Sequence, residues 1–408
     1  MTTTIQSPKL EETSRSAGSR VASIDIFRGL TMVVMIFVND LGSVHGLPWW
    51  TYHMAAQIDA MTYVDMVFPF FLFIVGMSIP LAVKHRLKKN PSLPSLWLHV
   101  VLRALSLIVL GLILANVEKG DSARMGMSMG WWGVVALTGA ILFWVVYPSS
   151  GPRLMLWRVL RYAGLITMVA MFAIFRRTMP DGSVGWIDPS YPEILGLIGF
   201  TYFSVSLLYI PTRRWRWAPV LWFVALMSFC TFSTAGRIGF SHRLSLYEWP
   251  FGNGAMAAIT MAGVVTSMIF TQGRSKQQKA VLAGAFALIA AVGGRLLTPL
   301  GISKIRATPT WCLYSIAAAV LIFLALYWIV DVKKHAGWAF FAHPAGANTL
   351  VTYLLPDLFY FLAGALSFTY LEARFDHGWP GVVRAVVFTG AILAIAAGLT
   401  RLRVRMQL

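Results

Sequence analysis

A histidine and a carboxylate, His53 and Asp65, flank the start of a membrane-length apolar run, Asp59 to Ala82. His53 follows Trp49-Trp50-Thr51-Tyr52 in a stretch, Gly42 to Met61, that holds no Lys or Arg. An imidazole titrates near neutral pH, and beside a carboxylate it suits a general base or a nucleophile in group transfer. A lone loop histidine is more often a plain surface group. Here the aromatic neighbours and the costly placement of an acid at a membrane span weigh toward a site. His45 competes for the role, but its surroundings are glycine and valine. Asn39, with Asp40, closes the preceding apolar run as a helix C-cap or as a donor aimed into a cavity, and spacing alone favours the cap.

Basic residues supply a second set. Asp25 and Arg28 lie three apart, share a helix face and are expected to pair; anchoring and gripping a phosphorylated cofactor are equally good readings. Arg103 and Arg295 are single cations within apolar runs, which snorkelling explains; Arg103 also suits a phosphate. Lys84, Arg86, Lys88 and Lys89 set topology and offer a landing site for a nucleotide. No glycine-rich phosphate loop, HExxH motif or nucleophile elbow stands in a supporting context, which argues against an ATP-driven pump.

The scaffold around these residues is legible in composition. The 408 residues are 57% hydrophobic and 12% charged, with mean hydropathy +0.68. No soluble domain of this length hides so much apolar surface, so the fold class is all-α, a polytopic integral membrane helical bundle. The 16 Trp and 13 Tyr suit rings at the two membrane interfaces. The net charge of +18 gathers in short loops between apolar runs, so lipid explains it better than nucleic acid does. Cys230 and Cys312 sit in apolar stretches, so neither a disulfide nor a metal centre is expected. Met1 to Arg20 reads as a disordered cytoplasmic tail without a signal-peptide core, and residues 21–408 as one transmembrane domain.

Apolar runs occur near 24–44, 62–83, 96–116, 129–147, 156–175, 191–210, 217–235, 252–271, 279–299, 309–330, 347–370 and 380–400. At about 20 residues per crossing they amount to roughly 10–12 transmembrane helices, because Pro356 and Asp357 make 347–370 a re-entrant candidate. Alternate loops are cation-rich: Lys9/Arg15/Arg20, the Lys84 cluster, Arg153/Arg158/Arg161, Arg213/Arg214/Arg216, Arg274/Lys276/Lys279, Lys333/Lys334 and Arg401/Arg403/Arg405. Positive loops stay cytoplasmic. Both termini are then inside, and His53, Asp188, Glu248 and Lys304 face out.

Several segments together resemble one known family. They are Ser23-x-Asp25-x-Phe27-Arg28-Gly29-Leu30-Thr31, Met35 to Asn39, His53, Asp65-Met66-Val67-Phe68-Pro69 and Phe73-Ile74-x-Gly76-x-Ser78. Ile302-Ser303-Lys304-x-x-Ala307-Thr308-Pro309-Thr310-Trp311 and Gly346-Ala347-Asn348-Thr349-Leu350-x-x-Tyr353 extend the pattern. The chain resembles the heparan-α-glucosaminide N-acetyltransferase-like transmembrane acyltransferases, and within them the bacterial NagX-type members. The resemblance implies transfer of acetyl from cytoplasmic acetyl-CoA to an amino sugar or glycan across the membrane. It places the active histidine at His53, with Trp49 four residues before it, and the active-site asparagine at Asn39. Gln57-Ile58-Asp59, Gly196-Leu197 and Phe251-Gly252-Asn253-Gly254 depart from the family pattern, and these departures bear on the acceptor more than on the chemistry.

Within this reading the nucleotide stays at the basic inner face near Asp25, Arg28 and Arg103. A pantetheine arm threads a cavity opened by broken helix at Pro69 and Gly76. Asp65 orients the imidazole, Asn39 donates to the thioester oxygen, and Lys304 and Trp311 contact the sugar together with Trp49. No metal is needed, the bilayer is the surrounding partner in a bacterial inner membrane, and a homodimer is compatible. The competing reading is a secondary transporter for N-acetylglucosamine or related sugars, which the span count and Asp357 also fit. A weaker third is a structural partner in envelope glycan synthesis.

Overall fold

The computed structural model describes residues 22–240, 243–368 and 370–408, so the expected tail, Met1 to Arg20, lies outside the described residues. Each apolar run becomes a helix. In chain order these are α1 (Ala22–Leu41), α2 (Val64–Lys89), α3 (Leu93–Asn116), α4 (Met129–Trp144), α5 (Leu154–Ile174), α6 (Glu193–Thr212), α7 (Ala218–Thr234), α8 (Ala255–Thr271), α9 (Lys276–Leu296), α10 (Pro309–Leu326), α11 (Thr349–Ala365) and α12 (Gly378–Arg401). Among the described residues 8 helices are long and apolar enough to cross a membrane, the last turns beyond α10 included. The remaining four, α4, α7, α8 and α11, are shorter apolar helices. A two-strand hairpin, pairing Arg177 with Gly185 and Thr178 with Val184, sits between α5 and α6.

Local chemistry starts several helices. Ser92 accepts from Ser95 N at the head of α3, Ser128 from Trp131 N at α4, and Ser275 with Gln278 forms a capping box at α9. The first N–H groups of α1 take a partner from far away in the chain. Asp331 accepts from Ala22 N at 3.2 Å and from Ser23 N at 3.3 Å. Asp331 lies in a π-helical stretch, Tyr327–Val332, that continues α10.

The expected break in α2 is not found. Pro69, Gly76 and Pro80 all lie inside one continuous helix of 26 residues. Gly76 serves close approach instead: a Cβ there would overlap the Thr260 carbonyl of α8, and one at Gly263 would overlap the Phe73 carbonyl. Backbone meeting backbone through small residues is how helices pack tightly in lipid, where no hydrophobic force draws them together.

Extensive contacts join α2 to α8, α3 to α6, α4 to α5 and α9 to α10, while α1 touches α2, α11, α12 and the short helix His343–Ala347. Phe27, Phe73 and Phe323 cluster at the centre. The outward faces are apolar too, with Leu288, Ile289 and Val292 of α9 and Val383, Val386 and Val387 of α12 all exposed. Apolar side chains covering the outside of a bundle this hydrophobic mark an integral membrane protein.

Candidate active site

The loop between α1 and α2 is built around Tyr52 and Thr62. Tyr52 Oη donates to the Val44 carbonyl at 2.6 Å and accepts from Leu47 N at 3.1 Å. Thr62 Oγ1 donates to the Tyr52 carbonyl at 2.9 Å and accepts from Val64 N, the first residue of α2, at 3.2 Å. Between these two pins His53 Nδ1 meets Asp65 Oδ1 at 2.8 Å. The Asp65 side chain is 1% exposed, against 48% for His53. The other Asp65 oxygen accepts from Thr62 N at 3.1 Å and Met54 N at 3.3 Å. A carboxylate so filled with donors favours the proton on Nδ1 and leaves the Nε2 lone pair available.

The facing wall comes from the far end of the chain. Lys304 Nζ stands 3.3 Å from His53 Nδ1 and 3.4 Å from Nε2. Burial holds the Lys304 ammonium below the ordinary lysine range, against the pull of Asp65 and Glu193. Arg306 pairs with Asp59 and ties the two loops together. Trp311, expected to contact the sugar, is fully buried and donates its indole N–H to the Asp65 carbonyl at 3.1 Å. It fixes the backbone that carries the carboxylate, because the first turn of α10 faces the core rather than solvent.

Asn39 is exposed, and among the described residues its side chain has no hydrogen-bond partner. The capping role that spacing favoured is not realised, because α1 runs on to Leu41 and Gly42 N bonds the Val38 carbonyl at 3.0 Å. Its neighbour Asp40 is buried, taking Tyr360 Oη at 2.6 Å and Arg384 Nε at 3.3 Å. His45 is removed from the contest: its backbone pairs with Asp376 and Gly378, and its ring lies 5.5 Å from that of His377. Trp49 and Trp50 are 66% and 51% exposed beside His53.

A cavity of about 400 Å³ opens among α1, α2, α3, α6, α11 and residues 406–408. Three guanidinium groups, Arg28, Arg86 and Arg103, line it together with Ser78 and Tyr202. Arg28 pairs with Asp25 at 3.2 Å, as the spacing predicts, and also donates to Ser78 Oγ at 3.1 Å. Arg103 lies over the Tyr202 ring, 5.2 Å from its centroid. Met32, Met35, Ile74 and Ile198 make the apolar wall. Residues 28, 32, 35 and 39 fall on one face of α1 by the 3.6-residue period, so Asn39 lies on the same helix face, one turn beyond Met35, the last α1 residue that lines the cavity. Tyr353 lines it as well and donates to Glu193 Oε2 at 3.0 Å. Sequence reasoning missed Glu193 and Tyr202 and gave Ser78 only as part of a family segment, with no role. An acid heading an apolar run was the one signal available for Glu193. Among the described residues no group of three or more His, Cys, Asp or Glu is placed to hold a metal ion, and Cys230 and Cys312 are free and buried.

Fold and site together define a polytopic helical membrane protein that carries a buttressed His–Asp pair and an arginine-lined cavity within its bundle. The chain belongs to the DUF5009 family, a domain of unknown function, whose profile matches residues 20–250. That range holds His53, Asp65 and the three cavity arginines but ends before Lys304 and Trp311. The chain is also similar to heparan-alpha-glucosaminide N-acetyltransferase of Mus musculus, 34% identical over 148 residues, which is 34% of this chain and 22% of the relative. The Homo sapiens protein of the same name is 37% identical over 97 residues, 24% of this chain and 14% of the relative. The matches thus span under a quarter of the length of these curated relatives.

Proposed function

We propose that residues 21–408 form a membrane acyltransferase that moves an acetyl group from cytoplasmic acetyl-CoA to an amino sugar or glycan at the opposite, periplasmic face. The observation that carries this reading is the 2.8 Å contact between His53 and the buried Asp65. It prepares an imidazole for proton or acyl transfer, and the name of the similar relatives supports the same chemistry. The membrane is a bacterial inner membrane, with the cation-rich loops inside.

Coenzyme A is too highly charged to cross about 30 Å of hydrocarbon. Its phosphates bind Arg28, Arg86 and Arg103, with Asp25 steadying Arg28. The pantetheine arm lies along Met32, Met35 and Ile74, and the thioester emerges toward His53. Asn39, on the same face of α1, turns its amide to the thioester oxygen, where negative charge develops during acyl transfer. His53 Nε2 takes a proton from the acceptor ammonium or carries the acetyl group in transit. Trp49 and Trp50 offer apolar faces to a sugar ring. A sugar carrier has no use for three arginines in an apolar cavity, which favours the transferase over the transporter.

Purified protein mixed with acetyl-CoA and glucosamine is expected to release thiol, and His53→Ala to slow that release by about 10²–10⁴-fold. Release unchanged in the variant, or absent with every amino-sugar acceptor, removes the reading. Saturable uptake of labelled sugar into proteoliposomes without acetyl-CoA replaces it with a carrier.

A further inference from the structure

Lys304 is the unexplained member of the His53 cluster. Among the described residues no carboxylate forms a salt bridge with it, and its ammonium is placed against a basic ring, 3.3 and 3.4 Å from the two nitrogens. A lysine kept for structure would be paired with an acid. Two basic groups in contact repel when both are charged, so the arrangement favours one proton shared between them. Asp65 and Glu193 act on Lys304 from α2 and α6 without touching it, and they attract that proton to the spot.

The loop that presents Lys304 is firmly held. Ser303 N donates to Thr308 Oγ1 at 3.0 Å, and Thr308 N returns to the Ser303 carbonyl at 3.1 Å. Asn253 Nδ2 reaches the Ala307 carbonyl at 2.9 Å, and Arg306 binds Asp59 across the gap. Ala307 takes a φ of +48°, a left-handed conformation that a non-glycine residue adopts only when its surroundings enforce it.

We propose that Lys304 is the proton donor to the departing thiolate in acetyl transfer, and that His53 returns the proton to it. This inference rests on the acyl-transfer reading above. The acceptor nitrogen forms a bond to the acetyl carbon, the C–S bond breaks, and its electron pair goes to sulfur. A Lys304 N–H gives its proton to that sulfur and leaves a neutral amine. His53 Nε2 takes one proton from the acceptor nitrogen and passes it across the contact, restoring the Lys304 ammonium. The second acceptor proton goes to solvent, to which His53 is open. Burial lowers the proton affinity of Lys304 against the pull of Asp65 and Glu193, which makes its ammonium a readier donor to a departing thiolate. The same donation serves a route in which the acetyl group first rests on His53.

The test compares two donors, acetyl-CoA and S-phenyl thioacetate, with glucosamine as acceptor, for wild type, Lys304→Arg and Lys304→Met. An aryl thiolate is a weak base and departs without a proton. Both variants are expected to lose about 100-fold or more in kcat with acetyl-CoA, the usual worth of a general acid. With the aryl donor the loss stays within about threefold, because proton transfer no longer limits departure. Equal losses on both donors, or Lys304→Arg at the wild-type rate with acetyl-CoA, overturns the assignment. Wild type inert toward both donors overturns the acyl-transfer reading itself and Lys304 with it.

Discussion

At the level of single residues, the proposed chemistry depends on how thoroughly Asp65 is held. It accepts from His53, Thr62 N and Met54 N, while Trp311 fixes its carbonyl. Replacing the carboxylate by an amide keeps shape but removes the charge and reverses part of the donor pattern. Asp65→Asn is therefore expected to lower thiol release by about 100-fold or more, as a wrongly set imidazole tautomer does in other histidine sites. Circular dichroism and retained coenzyme A binding separate this loss from misfolding. A variant within threefold of wild type would mean that His53 needs no orienting acid. The His53–Asp65 contact was legible in the sequence because loop closure over so short a distance leaves few alternatives. Lys304 was legible as a loop cation in a family segment and as a sugar contact, but not as a neighbour of the imidazole, since its position there depends on how distant helices dock.

Among elements, the loops flanking α3 and α6 are tied by polar contacts that composition does not reveal. Asp188, ahead of α6, pairs with Lys119 at 2.9 Å and Arg177 at 3.2 Å, and Asn116 at the end of α3 donates to its carbonyl at 3.1 Å. Burial pushes the Asp188 carboxyl up, but the Lys119 and Ser190 hydrogen bonds outweigh it and hold the group well below the usual carboxylate range. A carboxylate depressed on folding stabilises fully above its unfolded pKa, near 3.9, and loses that contribution as pH falls toward the folded value. Asp188→Asn is thus expected to cost about 1–3 kcal/mol at neutral pH. The difference from wild type should shrink in acid below about pH 4. Thermal unfolding in detergent across that range checks both, and a gap that does not narrow on acidification would count against the linkage. Helix α2 shows the limit of local reading: Pro69 and Gly76 looked like breaks, yet neighbours in a packed bundle keep the helix intact.

For the whole molecule, the important asymmetry lies between the arginine-lined cavity and the His53 cluster. Arg28, Arg86 and Arg103 come from α1, α2 and α3 and share one cavity of about 400 Å³. On the proposed reading these three cations receive the charged phosphates of the donor. Arg103→Ala is expected to raise the KM for acetyl-CoA by about tenfold, the equivalent of one charge-assisted hydrogen bond, while kcat changes little because the reacting carbon lies elsewhere. Added salt should raise the wild-type KM in the same direction by screening the phosphates. A KM unaltered in the variant would detach this cavity from the donor.

Short-range physics accounts for the part of this molecule that the chain alone reveals. Twelve apolar runs became helices because a backbone in lipid must satisfy its own hydrogen bonds, Asp25 met Arg28 across a single helical turn, and His53 met the acid that opens the next helix. The docking of helices supplied the rest: it carried Lys304 and Trp311 to that site, set Tyr353 on Glu193 and gathered three arginines in a cavity. Those contacts join segments far apart in sequence, and their partners are chosen by the shapes of packed helices, which no local pattern of residues encodes.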